Sequence, residues 1–224
     1  MISEFLMRTV SAVILIGCFF IAYLHSMALF TYTLLAALLI MLVFEWPSLI
    51  DSTSKISFIV ISLFYPIAPM FGLIILNACF RPADMLLPLY PFVISWIYDT
   101  MGYLVGKMVG YHKICPNISP GKTWEWLVGS FIGVFIGNVC FLQRITVEPF
   151  YQITTRFTSM LIYSMLLTLT AFSGGMMLSY LKRRKGLKDA GSLLPGHGGL
   201  LDRFDSIFFV GMFVWGVILV ELFR

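Results

Sequence analysis

The sequence is poor in charge. Asp, Glu, Lys and Arg make up only 12% of its 224 residues, about half the share that is usual in soluble domains. Regular short segments of alternating polarity are also missing, which excludes an outer-membrane type of barrel. Apolar residues are abundant instead, at 59% of the chain with a mean hydropathy of +0.93. Because they form repeated runs of about 20 residues, we predict an all-α, polytopic membrane protein.

The cysteines and histidines form no pattern that indicates chemistry. The cysteines are isolated from one another, with neither metal-ligand nor redox spacing, and the histidines show no zinc pattern. We interpret the cysteines as small buried apolar residues. These residues are Cys18, Cys79, Cys115, Cys140, His25, His112 and His197.

Seven apolar segments, with seven to nine as the range, are predicted to cross the membrane. They cover residues 6–24, 28–45, 56–79, 85–105, 124–142, 158–180 and 206–223, with boundaries uncertain by about two to four residues. Pro66 and Pro69 predict a kinked or split third span. The first segment could instead be a cleaved signal peptide, but the length of its apolar run and the spans that follow favour a retained helix.

The distribution of Lys and Arg predicts the orientation, because cytoplasmic loops carry the excess of these residues. With the N-terminus inside, the cytoplasmic side holds eleven and the outer side four of the fifteen. The loops at 106–123 and 181–205 then face the same, cytoplasmic compartment. We expect one membrane domain over 1–224, with the active-site loops in the C-terminal half, at about 95–206.

Two helices carry glycine at every fourth position, a spacing that lets helix backbones approach closely in lipid. We favour packing within one chain, and a homodimer seam is the alternative. The glycines are Gly102, Gly106, Gly110, Gly129, Gly133 and Gly137.

One segment holds much of the charge that the rest of the chain lacks: SYLKRRKGLKDAGSLLPGHGGLLDRFDS, residues 179–206. Anchoring to anionic lipid headgroups explains its lysines and arginines, but not its glycines and aspartates. Asp202 and Asp205 lie three residues apart at the start of an apolar helix and share one face. Carboxylates beside a cationic cluster suit a divalent metal that bridges phosphates. Helix capping is the alternative for one of them.

A second polar loop, HKICPNISPGKTWEW, covers residues 112–126. It is not a P-loop, because Pro116 replaces the required glycine and no strand is predicted before it. Ser119 or Thr123 is expected to open a helix with Lys122 and Glu125 in its first turn. Such a helix start beside a lysine binds phosphate, and plain capping is the alternative.

Asp99 lies inside the fourth predicted span, in IYDTMGY. An ionisable residue at that depth is costly, which makes it a functional candidate. Structural pairing with a basic residue is the alternative.

The charged segment resembles the signature of the phosphatidate cytidylyltransferases, or CDP-diacylglycerol synthases. Their pattern S-x-L-K-R-x-x-x-x-K-D-x-G-x-x-L-P-x-H-G-G-L-x-D-R-F-D is filled from Ser179 to Asp205. SPGKTWE with DT upstream, and EW at 45–46, also resemble that family. The resemblance covers the C-terminal half well and the N-terminal half only by hydropathy.

This resemblance implies transfer of CMP from CTP to phosphatidic acid, which gives CDP-diacylglycerol and pyrophosphate. It implies Mg²⁺ as cofactor, with a monovalent cation such as K⁺ in the same site. The expected partners are CTP, phosphatidic acid and the lipid bilayer, with no nucleic acid. The expected location is the cell (inner) membrane, with the active-site loops in the cytoplasm.

The resemblance also assigns site residues. The expected catalytic residues are Asp202, Asp205, Lys188, Asp189 and Arg203. The expected metal ligands are Asp202 and Asp205, with Asp99 and Glu125 as compensating acids. The expected substrate-binding residues are Ser119, Lys122, Thr123, Ser179, Lys182, Arg183, His197, Gly198 and Gly199.

One position departs from the family pattern. Four residues before the signature serine the family usually has a metal-binding aspartate, and this chain has Gly175. Either another acid compensates, or the protein binds metal weakly, or it is a catalytically weak or inactive homologue. A CTP-dependent transferase acting on another lipid phosphate is a further alternative, against which the intact PGHGGLLDRFD run argues. We favour an active enzyme.

Overall fold

The computed structural model describes residues 14, 16–50, 55–193 and 198–222, and most of them are helical. The first predicted span lies partly outside these ranges, and its described part includes helix α1, Ile16–His25. The other helices are α2 (Met27–Ile40), α3 (Trp46–Leu49), α4 (Lys55–Ser62), α5 (Ala68–Phe80), α6 (Tyr90–Val109), α7 (Trp124–Phe141), α8 (Phe150–Thr155), α9 (Phe157–Arg184) and α10 (Leu201–Leu222).

Five helical stretches in the described ranges are long and apolar enough to cross a membrane. They are Met27–Leu49, Lys55–Phe80, Trp124–Arg144, Phe157–Arg184 and Leu201–Glu221. The predicted helical membrane protein is therefore confirmed. The count of seven and the orientation of the N-terminus stay predictions. The predicted span at 85–105 is helix α6, which falls outside those five because it is less apolar.

Two of the long stretches are irregular. A π-helical turn, Met41–Glu45, joins α2 to α3, and another, Leu63–Ile67, joins α4 to α5. In the second turn Tyr65 leaves helical geometry, with φ −157° and ψ 124°, immediately before Pro66. Proline removes a backbone donor and clashes with the preceding turn, so the predicted break in the third span is confirmed.

The all-α prediction needs one correction, because residues 112–126 contain a β-hairpin. Strand β1 (Lys113–Cys115) pairs antiparallel with β2 (Ser119–Thr123). Ser119 therefore lies in a strand and does not open a helix. Thr123 does, since its hydroxyl accepts a hydrogen bond from the Trp126 N–H at 3.0 Å. The short hairpin is stabilised by the contacts of its second strand with α6, α7 and α9. No local sequence pattern predicts such contacts.

The glycine-spaced helices α6 and α7 pack against each other. A Cβ atom on the glycines would collide with side chains of the opposing helix: Gly102 with Ser130, Gly129 with Val105, and Gly133 with Met101. This confirms packing within one chain. The homodimer seam stays a prediction.

Buried polar contacts fix the same bundle. The Tyr90 hydroxyl of α6 donates to Asn138 Oδ1 of α7 at 2.6 Å, and Asn138 Nδ2 donates to Ser164 Oγ of α9 at 2.8 Å. These three helices therefore carry the two polar loops in a fixed relation.

Candidate functional site

The candidate site lies where the hairpin meets the adjoining ends of α6, α9 and α10. Four residues, Asp99, Lys122, Gly175 and Asp205, form what we call the Lys122 pocket. A Cβ atom on Gly175 would lie 2.6 Å from Lys122 Nζ and 3.4 Å from Asp205 Oδ2. Gly175 therefore faces Asp205, and the lysine ammonium fills the space beside it.

Two aspartates border this ammonium from different helices. Asp205 Oδ1 accepts the Ser206 N–H at 2.6 Å, and the Ser206 hydroxyl donates to Asp99 Oδ2 at 3.4 Å. Ser206 thus links the two acids, which are 106 positions apart in the numbering. Asp205 Oδ2 remains directed toward Gly175 and Lys122.

Two aromatic rings also lie close to the ammonium. Lys122 Nζ lies 4.8 Å from the ring centroid of Trp126 and 5.0 Å from that of Phe172. Ring faces attract cations, more strongly where water is excluded. Burial lowers the pKa of Lys122, while the charges of Asp205 and Asp99 oppose that shift. The chain therefore places one partly buried cation against two carboxylates.

Asp202, the best match to the family's metal ligand, is engaged by the protein itself. Its Oδ1 pairs with Lys182 Nζ at 2.6 Å, and both side chains are largely buried. Its Oδ2 accepts the backbone N–H groups of Ala190 at 2.8 Å and Gly199 at 3.1 Å. Asp202 therefore fastens the loop between α9 and α10 to the start of α10. Its role as a metal ligand stays a prediction.

Glu45 is a site residue that the sequence reasoning missed. It is fully buried, and its carboxylate accepts the N–H groups of Leu200 and Leu201, each at 2.6 Å. It thus caps the start of α10, where a negative charge is favourable. Close approach requires glycine here, because a Cβ atom on Gly199 would lie 3.0 Å from both Glu45 carboxylate oxygens. The EW match at 45–46 was the only sequence signal.

Arg183 joins the two polar loops. Its Nε donates to the Ile118 carbonyl of the hairpin at 3.2 Å, and its Nη1 donates to the Leu187 carbonyl at 2.9 Å. The prediction that residues 106–123 and 181–205 share one side of the molecule agrees with this contact.

The remaining candidates occupy different surroundings. Gly198 has φ +80°, which favours glycine, and a Cβ atom there would lie 3.2 Å from Asp189 Cβ and 3.3 Å from Asp202 Oδ2. Ser179 lies one turn beyond Gly175 in α9. Lys188 and Arg203 are exposed. His197 lies outside the described residues.

Glu125 is not brought to the aspartates. Its carboxylate contacts His112 Nδ1 at 2.6 Å and accepts the backbone N–H groups of Tyr111 and His112. Glu125 therefore links the residues just before β1 to the first turn of α7.

The carboxylate oxygens of the Lys122 pocket suffice for a magnesium ion only if oxygen atoms of a substrate complete its coordination. Among the described residues, no three His, Cys, Asp or Glu side chains converge as a metal cage. Mg²⁺, however, is commonly held by one or two carboxylates together with substrate phosphates. Asp205 and Asp99 supply two such carboxylates, so these residues fit the ion.

Fold and site together define a membrane-embedded helical protein with a charged site at one end of its bundle. Comparison with known proteins gives the family. The model of the cytidylyltransferase family matches residues 5–221, and the chain belongs to that family.

Relatives of known name agree with this assignment. A phosphatidate cytidylyltransferase of Rickettsia bellii is 33% identical over 207 residues, 92% of this chain and 87% of the relative. The one of Rickettsia typhi is 33% identical over 215 residues, 94% and 90% of the two chains. The one of Staphylococcus aureus is 43% identical over 122 residues, 54% of this chain and 45% of the relative.

Proposed function

We propose that this protein transfers the cytidylyl group of CTP to phosphatidic acid, giving CDP-diacylglycerol and pyrophosphate. The observation that carries the proposal is the Lys122 pocket: a lysine and two carboxylates meet at one end of an apolar bundle in a cytidylyltransferase. Relatives named for this reaction match over nearly the whole chain.

The reaction joins one phosphate to another. An oxygen of the lipid phosphate attacks the α-phosphorus of CTP, a new phosphorus–oxygen bond forms, and the bond to the β-phosphate breaks, so that pyrophosphate leaves with its electron pair. Both substrates are anions, so the protein must hold them together and balance their charge. Lys122, Lys188 and Arg203 are the cations to which we assign this role.

Lys182 and Arg183 act indirectly in this scheme. Lys182 is paired with Asp202, and Arg183 holds the hairpin and the turn after α9 together. Lys182 thereby holds the α9–α10 loop on the start of α10. Arg183 keeps the two loops at a fixed separation, and it is exposed enough to contact a nucleotide phosphate as well. Ser119, Thr123 and Glu125 support the hairpin that carries Lys122.

Asp205 and Asp99 are the residues that would hold Mg²⁺. The ion would supply positive charge at the phosphates and stabilise the charge that develops on the leaving pyrophosphate. Lys122 supplies one fixed positive charge at the same place. A K⁺ ion beside Mg²⁺ stays part of the proposal.

We place the protein in the cell membrane with both polar loops in the cytoplasm, where CTP is found. The eleven-to-four bias of Lys and Arg supports this orientation.

The test is synthesis by the purified protein. CTP labelled at the α-phosphate and phosphatidic acid should give labelled CDP-diacylglycerol and unlabelled pyrophosphate, with activity dependent on Mg²⁺. Lysophosphatidic acid and a polyprenyl phosphate serve as competing acceptors. Preference for the polyprenyl phosphate, or no lipid product with any acceptor, would contradict the proposal.

A further inference from the structure

A long apolar groove runs beside the site, between α9 and α10. Its volume is about 1180 Å³, and its walls include Phe64, Met177, Phe209, Met212, Gly216 and Val217. Polar residues border the far end, where α9 begins and α10 ends: Arg156, Ser159 and Glu221. We call this feature the α9–α10 groove.

The near end of the groove reaches the charged site. Phe209 is four residues, about one helical turn, beyond Asp205 on α10. Its ring lies 6.3 Å from that of Tyr65, which also lines the groove. Gly174 of α9 packs against both residues, since a Cβ atom there would collide with the Asp205 carbonyl oxygen and would lie 2.8 Å from the Phe209 ring. The near end of the groove therefore lies one helical turn from Asp205.

Tyr65 presents an unpaired polar group at this junction. Its side chain is buried, with 6% of the residue exposed, and its hydroxyl has no hydrogen-bond partner among the described residues. A buried hydroxyl without a partner is costly, so its presence needs a reason. The break before Pro66 turns Tyr65 out of the helix, which places it at the groove.

We propose that the α9–α10 groove binds one acyl chain of the lipid substrate, and that the Tyr65 hydroxyl donates a hydrogen bond to an ester carbonyl at the head of that chain. This inference rests on the proposed function, because it requires the substrate phosphate to lie at Asp205. The glycerol backbone of the lipid would then lie along the helical turn between Asp205 and Phe209.

The length of the groove fits such a chain. From Phe209 to Val220 the α10 axis rises about 16 Å, which matches half of a hydrocarbon core about 30 Å thick. Gly216 lies about 10 Å beyond Phe209 by the same rise. A long acyl chain would extend past Gly216, whereas an octanoyl chain would end before it.

A substitution at Gly216 should obstruct the groove without disturbing the packing around it. A Cβ atom there would meet no atom within 4 Å, so a larger side chain enters the groove without displacing protein. Gly17, in α1, is equally open and does not line the groove. Gly17→Leu is therefore a matched control for Gly216→Leu.

The experiment compares wild type, Gly216→Leu and Gly17→Leu with dioleoyl and dioctanoyl phosphatidic acid in detergent micelles. We expect Gly216→Leu to lower kcat/KM for the dioleoyl lipid about tenfold relative to the dioctanoyl lipid, as a few misplaced methylenes do in apolar pockets. Gly17→Leu should leave this ratio unchanged. Dioctanoyl activity also reports that each variant is folded.

Three outcomes separate the hypotheses. If the ratio for Gly216→Leu equals that of wild type, the groove does not hold the chain, and the proposed function stands. If wild type converts neither lipid, the proposed function itself fails. Tyr65→Phe should raise KM several-fold for both lipids with kcat unchanged, and an unchanged KM would refute the role assigned to the hydroxyl.

Discussion

Gly175 allows the charge balance of the Lys122 pocket to be changed by one substitution. Gly175→Asp would place a carboxylate beside Asp205 and against Lys122 Nζ, since even a Cβ atom there lies 2.6 Å from that nitrogen. We expect the variant to need less Mg²⁺ for half-maximal activity, because a third carboxylate joins the two that are available.

The size of the effect follows from the neighbours. Two unit charges about 4 Å apart interact by about 4 kcal/mol at an effective dielectric constant of about 20. Pairing of the new carboxylate with Lys122 competes with the ion, whereas its repulsion by Asp205 is relieved when the ion binds. We expect a net gain on the order of 1.4 kcal/mol in Mg²⁺ binding. That corresponds to a midpoint about tenfold lower.

Gly175→Ala separates charge from volume. Its methyl group would push Lys122 Nζ from 2.6 Å to ordinary contact, a shift of about 1 Å, which is easy for the end of a flexible side chain. A misplacement of about this size can reduce turnover by up to about a hundredfold. We therefore expect alanine to lower kcat and to leave the Mg²⁺ midpoint unchanged.

The assay is activity as a function of Mg²⁺ concentration, with direct Mn²⁺ binding followed by electron paramagnetic resonance as a second readout. The reasoning is refuted if aspartate raises the midpoint, or if aspartate and alanine give the same midpoint. A lower midpoint without tighter Mn²⁺ binding would likewise show that position 175 does not act on the metal.

Three other predictions follow from the contacts of the site. Asp202→Asn should abolish synthesis and lower the free energy of unfolding by about 3 kcal/mol, because Lys182 loses its buried partner; an unchanged melting temperature would contradict this. Glu45→Gln should cost about 1 to 2 kcal/mol at the start of α10, measured by thermal unfolding. Single cysteines at Gly121 and Ser192, in a chain with its four cysteines replaced, should react with impermeant reagents only from the inner side, and labelling from outside would refute the orientation.

Hydropathy predicted much of the fold, because the same apolar runs that make a helix favourable in lipid also mark its extent in the sequence. Pro66 predicted the break in the third span, and Thr123 predicted the start of α7. Both predictions succeeded because each residue affects the backbone of its neighbours in the sequence. The hairpin was not predicted, because its stability does not come from neighbouring residues alone. Its strands have three and five residues, too short for a periodic pattern, and they depend on contacts with three helices.

The site was predictable only in part. The spacing of Asp202 and Asp205 correctly placed both on the first turns of α10, but spacing along one helix gives no account of partners elsewhere. Glu45 lies 155 positions before Leu200, and in the sequence it is a single acid in an apolar run. Its carboxylate meets α10 only because the fold brings the π-helical turn beside the first residues of that helix.

The structure divides the acids around the site between two tasks. Asp202, with Lys182, and Glu45 hold the loop and the start of α10 in place, with their carboxylate oxygens occupied by protein donors. Asp205 retains an oxygen directed toward Lys122 and Gly175, and Asp99 joins it through Ser206. Loss of synthesis after a change at Asp202 would therefore not identify a metal ligand, because the same change loosens the loop. A change at Asp205 or Gly175 acts on the pocket itself, so Mg²⁺ dependence at those two positions is the more direct measure of where the cation binds.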